Sequence, residues 1–114
     1  PVAIARALLR LKRGDLLSRS STAHLLNLME TSETGALRVK AGLPAGWRWA
    51  HKTGTGQNLN GMTAGFNDVG IMTAPDGTSY AVVILIGRTT KPVGKRQAFM
   101  QTVAASVGAN HVTR

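Results

Sequence analysis

Trp47-Arg48-Trp49-Ala50-His51-Lys52-Thr53-Gly54-Thr55-Gly56 is the stretch on which the reading of the fold turns. Trp47, Trp49, His51, Thr53 and Thr55 alternate with Arg48, Ala50 and Lys52, a period of two that predicts a strand. Trp47 and Trp49 fall on one side of it and are read as core. Residues 54–65 are rich in Gly and Asn and read as a loop. Residues 68–74 read as a second strand and residues 80–87 as a third. Pro75-Asp76-Gly77 between them is a strong turn signal, so these two strands are expected to pair antiparallel.

Upstream of Trp47 the spacing is helical. Val2, Ala5, Leu8, Leu9 and Leu11 share one face of a helix that Pro1 opens and Gly14 ends. Ser20, Ser21 or Thr22 can cap a second helix carrying Leu25, Leu26, Leu28 and Met29. Residues 36–41 suggest one more helical turn or two, before Gly42, Pro44 and Gly46 break the pattern. Downstream, Pro92 opens a last helix whose apolar stripe is Phe99, Val103 and Val107, with Met100 and Ala104. The order helix, helix, strand, strand, strand, helix gives an α/β fold class: an antiparallel sheet with flanking helices.

The third strand bears on completeness. Residues 82–86 are apolar without alternation, so both faces are expected to be buried. A strand of this kind is expected at the centre of a sheet, because a long apolar edge invites aggregation. The chain offers it two other strands, so further partners are expected outside the chain. The start at Pro1 fits either removal of an initiator methionine before a small residue or a piece of a longer polypeptide.

Length and composition bound the rest. With 114 residues there is room for one domain, and the 43% hydrophobic fraction fits a globular chain. The longest aliphatic stretch, residues 81–86, is too short to span a bilayer, and no membrane partner is expected. No secretory leader is recognisable. With no cysteine there is no disulfide framework and no thiol nucleophile. His24, His51 and His111 lie far apart in sequence, so neither a metal site nor any cofactor is expected. Fourteen Lys and Arg against five Asp and Glu give a net charge of +9. That raises the possibility of a small basic nucleic-acid-binding module. Against it, the clusters Arg6, Arg10, Arg13 and Lys91, Lys95, Arg96 have no interleaved aromatics, and no nucleic acid is expected as partner.

Chemistry concentrates at His51-Lys52-Thr53-Gly54-Thr55-Gly56. A Lys-Thr-Gly triplet alone is weak, present by chance in roughly a few per cent of chains this size. Here it ends a predicted strand and precedes a glycine-rich loop, a Pro-Asp-Gly hairpin and a closing helix. That is the setting of penicilloyl-serine enzymes. Leu43-Pro44-Ala45-Gly46-Trp47, then 51–56, then Asn67-Asp68-Val69-Gly70-Ile71, then Pro75-Asp76-Gly77 follow one another in the order and near the spacing of the class A serine β-lactamases. The chain resembles the C-terminal portion of that family over nearly all its length, and its nearest likeness is to the subgroup with an Asn-Asp-Val/Ile-Gly-Ile strand. The resemblance implies a division into residues 1–41, the last helices of an all-helical subdomain, and residues 42–114, three strands and the final helix of an α/β subdomain.

The resemblance also assigns roles. Lys52 would place a positive charge between the acylation machinery and the substrate carboxylate. Thr53 and Thr55 would offer hydroxyls to that carboxylate, and Gly54 lets the backbone approach substrate. The Thr55 backbone N–H would be one of two oxyanion-hole donors. Many family members carry a carboxylate-binding arginine on the second of these strands, where this chain has Asn67. In the subgroup an arginine ahead of the first strand replaces it, and Arg38 falls there. Asp68 is read as a structural partner, and His51 as orienting its strand or facing solvent.

The family's Ser-x-x-Lys and Ser-Asp-Asn motifs and its omega-loop glutamate have no match in the chain. The implied partners are therefore a β-lactam substrate and an N-terminal part of the same enzyme, which would supply the nucleophile and general bases. Alone, the chain is expected to be inactive and poorly folded. Family likeness further implies a periplasmic or secreted location. The nearest competing reading is a penicillin-binding D,D-peptidase or related serine hydrolase, since Lys-Thr-Gly is common to all of them.

Overall fold

The computed structural model describes residues 1–113. Helices α1 (Val2–Arg13) and α2 (Arg19–Glu30) come first, then a 3-10 turn at Val39–Gly42. Strand β1 (Arg48–Thr55) leads into a small hairpin, β2 (Asn58–Leu59) and β3 (Met62–Thr63). Strands β4 (Phe66–Thr73) and β5 (Ser79–Ile86) and helix α3 (Val93–Ala109) complete the chain.

The main sheet has the order β1-β4-β5 and is antiparallel throughout. The β1–β4 ladder runs from Arg48↔Thr73 to Thr55↔Phe66, and β4–β5 from Phe66↔Ile86 to Thr73↔Ser79. Strand alternation divides the side chains between two faces. On one face Trp49, Phe66, Met72, Val82 and Ile84 form a core with Val39 of the 3-10 turn and Met100 and Ala104 of α3. Met72 and Met100 are fully buried, and each such side chain contributes about 1.5–3 kcal/mol. The opposite face is covered by α1, which packs on β4 and β5, and by α2, which packs on β1. Trp47 and Trp49 both join the α3-side core, as their spacing predicts.

Several boundaries differ from the sequence reading for local reasons. Helix α2 is capped by Ser18, whose Oγ accepts the Ser21 N–H at 3.2 Å, rather than by Ser20, Ser21 or Thr22. The predicted loop contains the β2–β3 hairpin, turned by Asn60 at φ +54° and Gly61 at φ +76°. That is the Asn-Gly signature of a tight hairpin turn. Strand β4 begins two residues early, at Phe66, because the ladder with β1 extends to Thr55. The apolar third strand stands at the sheet edge, and the central strand is β4. Among the described residues β5 pairs with β4 alone, so its outer edge is open. No helix among the described residues is long and apolar enough to cross a membrane.

Candidate active site

The Lys-Thr-Gly end of β1 lies where three segments meet: β1 itself, the start of β4, and residues 34–42. Alternation sends Lys52 to the α2 side of the sheet and Thr53 and Thr55 toward residues 34–38. Lys52 is exposed, and its Nζ donates to the Thr53 carbonyl at 2.8 Å. It borders a concavity of about 300 Å³, together with Leu25, Leu28, Met29, Ser32 and His51. Thr53 Oγ1 lies 2.9 Å from Thr34 Oγ1. This approach depends on Gly35, at φ +73°, where a Cβ would stand 2.5 Å from the Thr53 methyl.

Arg38 reaches this site from the residue before the 3-10 turn. Its Nη2 donates to Thr55 Oγ1 at 2.6 Å, and its Nη1 to the carbonyls of Asn67 at 2.8 Å and Gly54 at 3.3 Å. The guanidinium lies 3.7 Å from the centroid of the Phe66 ring, which Arg96 also approaches at 5.3 Å. Burial lowers the Arg38 pKa from its ordinary value. The negative charge of Asp68 opposes that shift, and the positive charge of Arg96 adds to it. The cation is thus partly stripped of water beside a threonine hydroxyl.

Backbone direction at Thr55 follows from the next residue. The Gly56 N–H donates to the Gly65 carbonyl at 2.7 Å, across to the β4 side. Successive N–H groups of a strand face opposite edges, so Thr55 N–H faces the outer edge of β1. No strand pairs with that edge among the described residues.

Beneath this surface lies a buried pair. Asp68 is fully buried and His51 is 2% exposed, with Asp68 Oδ1 at 2.6 Å from His51 Nδ1. The other carboxylate oxygen, Oδ2, accepts the Val39 N–H at 3.3 Å. Asp68, read from the sequence as a structural partner, is buried and bonded through both carboxylate oxygens, and His51 is buried rather than facing solvent. The sequence reading did not foresee that the two are partners. It also missed Thr34, Phe66 and Arg96. The signal for the pair was available only through strand register, which sets Thr53 opposite Asp68 and so puts His51 one diagonal step away.

The remaining histidines stand elsewhere. His24 is exposed on α2, while His111 bonds Tyr80 Oη at 2.7 Å and Asp76 Oδ2 at 3.1 Å at the far end of the sheet. Among the described residues no group of three His, Cys, Asp or Glu could hold a metal ion. The site therefore offers two cations, two threonine hydroxyls and an outward N–H. That set suits an anionic substrate whose reaction develops further negative charge on oxygen.

Comparison with known proteins accords with this geometry. A profile described as the beta-lactamase enzyme family matches residues 1–110. The extended-spectrum beta-lactamase PER-1 of Pseudomonas aeruginosa is 36% identical over 100 residues, 88% of this chain and 32% of PER-1. The chain thus spans about a third of that relative's length. The crystal structure of the TLA-1 extended-spectrum beta-lactamase superposes with a TM-score of 0.89 at 32% identity, covering 94% of this chain and 39% of that one. An ancestral class A beta-lactamase gives a TM-score of 0.85, also at 32% identity, over 97% of this chain and 41% of its own. By motif order, sequence and fold alike, the chain belongs to the β-lactamase enzyme family, among its class A serine members.

Proposed function

We propose that this chain supplies the carboxylate-binding and oxyanion wall of a serine β-lactamase, and that an N-terminal part of the same enzyme supplies the nucleophile and general bases. The observation that carries this reading is the convergence of Arg38 on Thr55, one strand step from the Lys-Thr-Gly triplet, through the 2.6 Å hydrogen bond. Arg38 stands where the missing strand arginine would otherwise be needed. Lys52 and Arg38 hold the substrate carboxylate from the two faces of β1, with the Thr53 and Thr55 hydroxyls between them.

In the reaction, a serine Oγ from the N-terminal part attacks the β-lactam carbonyl, and the tetrahedral oxyanion accepts the Thr55 N–H. The C–N bond then breaks, its nitrogen takes the proton that the serine gave up to a general base of the N-terminal part, and an acyl-enzyme forms. Water cleaves the ester and releases the opened product. One oxyanion donor is worth about 3–4 kcal/mol in such a transition state.

The division of labour is supported by exposed apolar surface. Leu28 on α2 and Phe99 on α3 are 53% and 55% exposed, and the outer edge of β5 is unpaired among the described residues. An N-terminal part seated on these surfaces would bury them. We assign the assembled enzyme an exported location, as for its class.

The test is turnover of a chromogenic β-lactam by the chain alone and after reconstitution with its N-terminal part. Turnover only on reconstitution supports the reading, whereas hydrolysis by the isolated chain would refute the division of labour. Stoichiometric acylation without turnover would instead assign the chain to a penicillin-binding D,D-peptidase.

A further inference from the structure

One carboxylate bonds the chain neighbours of both cations of the site. Asp68 Oδ1 holds His51, the residue before Lys52, and Asp68 Oδ2 holds the N–H of Val39, the residue after Arg38. We propose that the buried His51–Asp68 pair is the positioning device that fixes Lys52 and Arg38 relative to one another, and so sets the geometry of substrate-carboxylate binding. The inference deepens the reading given under Proposed function and rests on it.

The bonding leaves the pair little freedom. The Val39 N–H can only donate, so the carboxylate accepts there, and an ionised Asp68 accepts Nδ1–H from His51 at Oδ1. Hydrogen bonds to an ionised partner are short and strong, as the 2.6 Å separation is. Strand β4 supplies Asp68, β1 supplies His51, and the 3-10 turn supplies Val39. A single buried group therefore ties together three segments that the main sheet ladder does not all connect.

The neighbouring strand is shaped to admit the imidazole. Gly70 is the register partner of His51. A Cβ at Gly70 would stand 2.2 Å from the Ala50 carbonyl oxygen and 2.7 Å from the His51 Cβ. Only glycine leaves β1 and β4 close enough here for His51 to lie across β4 toward Asp68. Asp68 also acts on Arg38 through space, since its negative charge opposes the effect of burial on the guanidinium.

A buried polar pair is weak evidence of stabilisation, because apolar residues of similar volume often serve the fold as well. Positioning and folding can therefore be separated by experiment. In the enzyme assembled from this chain and its N-terminal part, Asp68→Asn keeps the shape but removes the carboxylate charge, and it keeps both contacts only if His51 takes the tautomer whose Nδ1 accepts from the amide. We expect KM for a chromogenic β-lactam to rise about tenfold, the scale of one charge-assisted hydrogen bond, with a much smaller change in kcat. A β-lactam esterified at the carboxylate should show no such rise. A merely structural role would lower the active fraction, and with it the apparent kcat, equally for both substrates while leaving KM unchanged.

The double variant H51L/D68L leaves no orphaned charge and carries the same test if the single substitution unfolds the chain. Unchanged KM for the free-acid substrate in a folded variant overturns the proposal. Arg38→Ala and Lys52→Ala keep the two readings apart. If neither alters KM or kcat, the site assignment itself fails. If they do while the Asp68 variants do not, only the positioning role fails.

Discussion

Arg38 is held by four contacts at once: two carbonyls, one threonine hydroxyl and the face of Phe66. Such a guanidinium is pre-organised, so little further ordering is needed when an anion arrives. In the proposed site, removing it would leave Lys52 as the one cation on the substrate carboxylate. We expect Arg38→Ala in the assembled enzyme to raise KM roughly tenfold, and Arg38→Lys to recover only part of the loss, because a lysine cannot span Thr55 and Asn67 together. Steady-state kinetics on one substrate decides this. Trp49 offers a contrasting case away from the site. Its Nε1–H is buried with no hydrogen-bond partner among the described residues, and a donor left so costs about 1–3 kcal/mol. Trp49→Phe removes that donor along with some packing volume. We expect its net effect on unfolding free energy to stay within about 1 kcal/mol, against about 3–5 kcal/mol lost in Trp49→Ala. Urea melts of the assembled protein measure both.

At the scale of elements, strands β1, β4 and β5 and the three helices were legible because their apolar periods are unambiguous. The period-two run from Trp47 gave β1, and Pro75-Asp76-Gly77 gave the hairpin between β4 and β5. The Asn60-Gly61 turn was equally legible but was absorbed into a glycine-rich loop. The position of β5 at the edge was not legible, since an unbroken apolar run reports burial of both faces and not the number of neighbours. Likewise Arg38 came from family likeness and not from local spacing, because its hydrogen-bond partners Thr55 and Asn67 are 17 and 29 residues away. The His51–Asp68 pair stayed hidden for the same reason: it depends on register. Two element-level predictions follow from the caps and the ladder. Ser18→Ala removes the acceptor for the Ser21 N–H and should cost about 1 kcal/mol, seen as a lower thermal midpoint. Gly70→Ala forces β1 and β4 apart and should cost more than Ser18→Ala in the same melt.

At the scale of the whole molecule, the radius of gyration is 14.5 Å, somewhat above the roughly 13 Å of a compact chain of this length. The excess goes with apolar side chains left on the surface, among them Leu28, Leu85 and Phe99. We expect the isolated chain to bind a hydrophobic dye and to self-associate, and both signals to fall when the N-terminal part is added. The net charge of +9 belongs to this surface too, and part of it, Lys52 and Arg38, faces the proposed substrate rather than a nucleic acid. In the proposed function, the Lys-Thr-Gly wall built by this chain serves β-lactam hydrolysis. The most direct test is kcat/KM for a chromogenic β-lactam in the assembled enzyme, compared with its Lys52→Ala variant. Loss of a charge-assisted contact predicts a fall of roughly 10- to 100-fold, with the fold retained by circular dichroism. An unchanged kcat/KM in a folded Lys52→Ala enzyme would contradict that role of the wall.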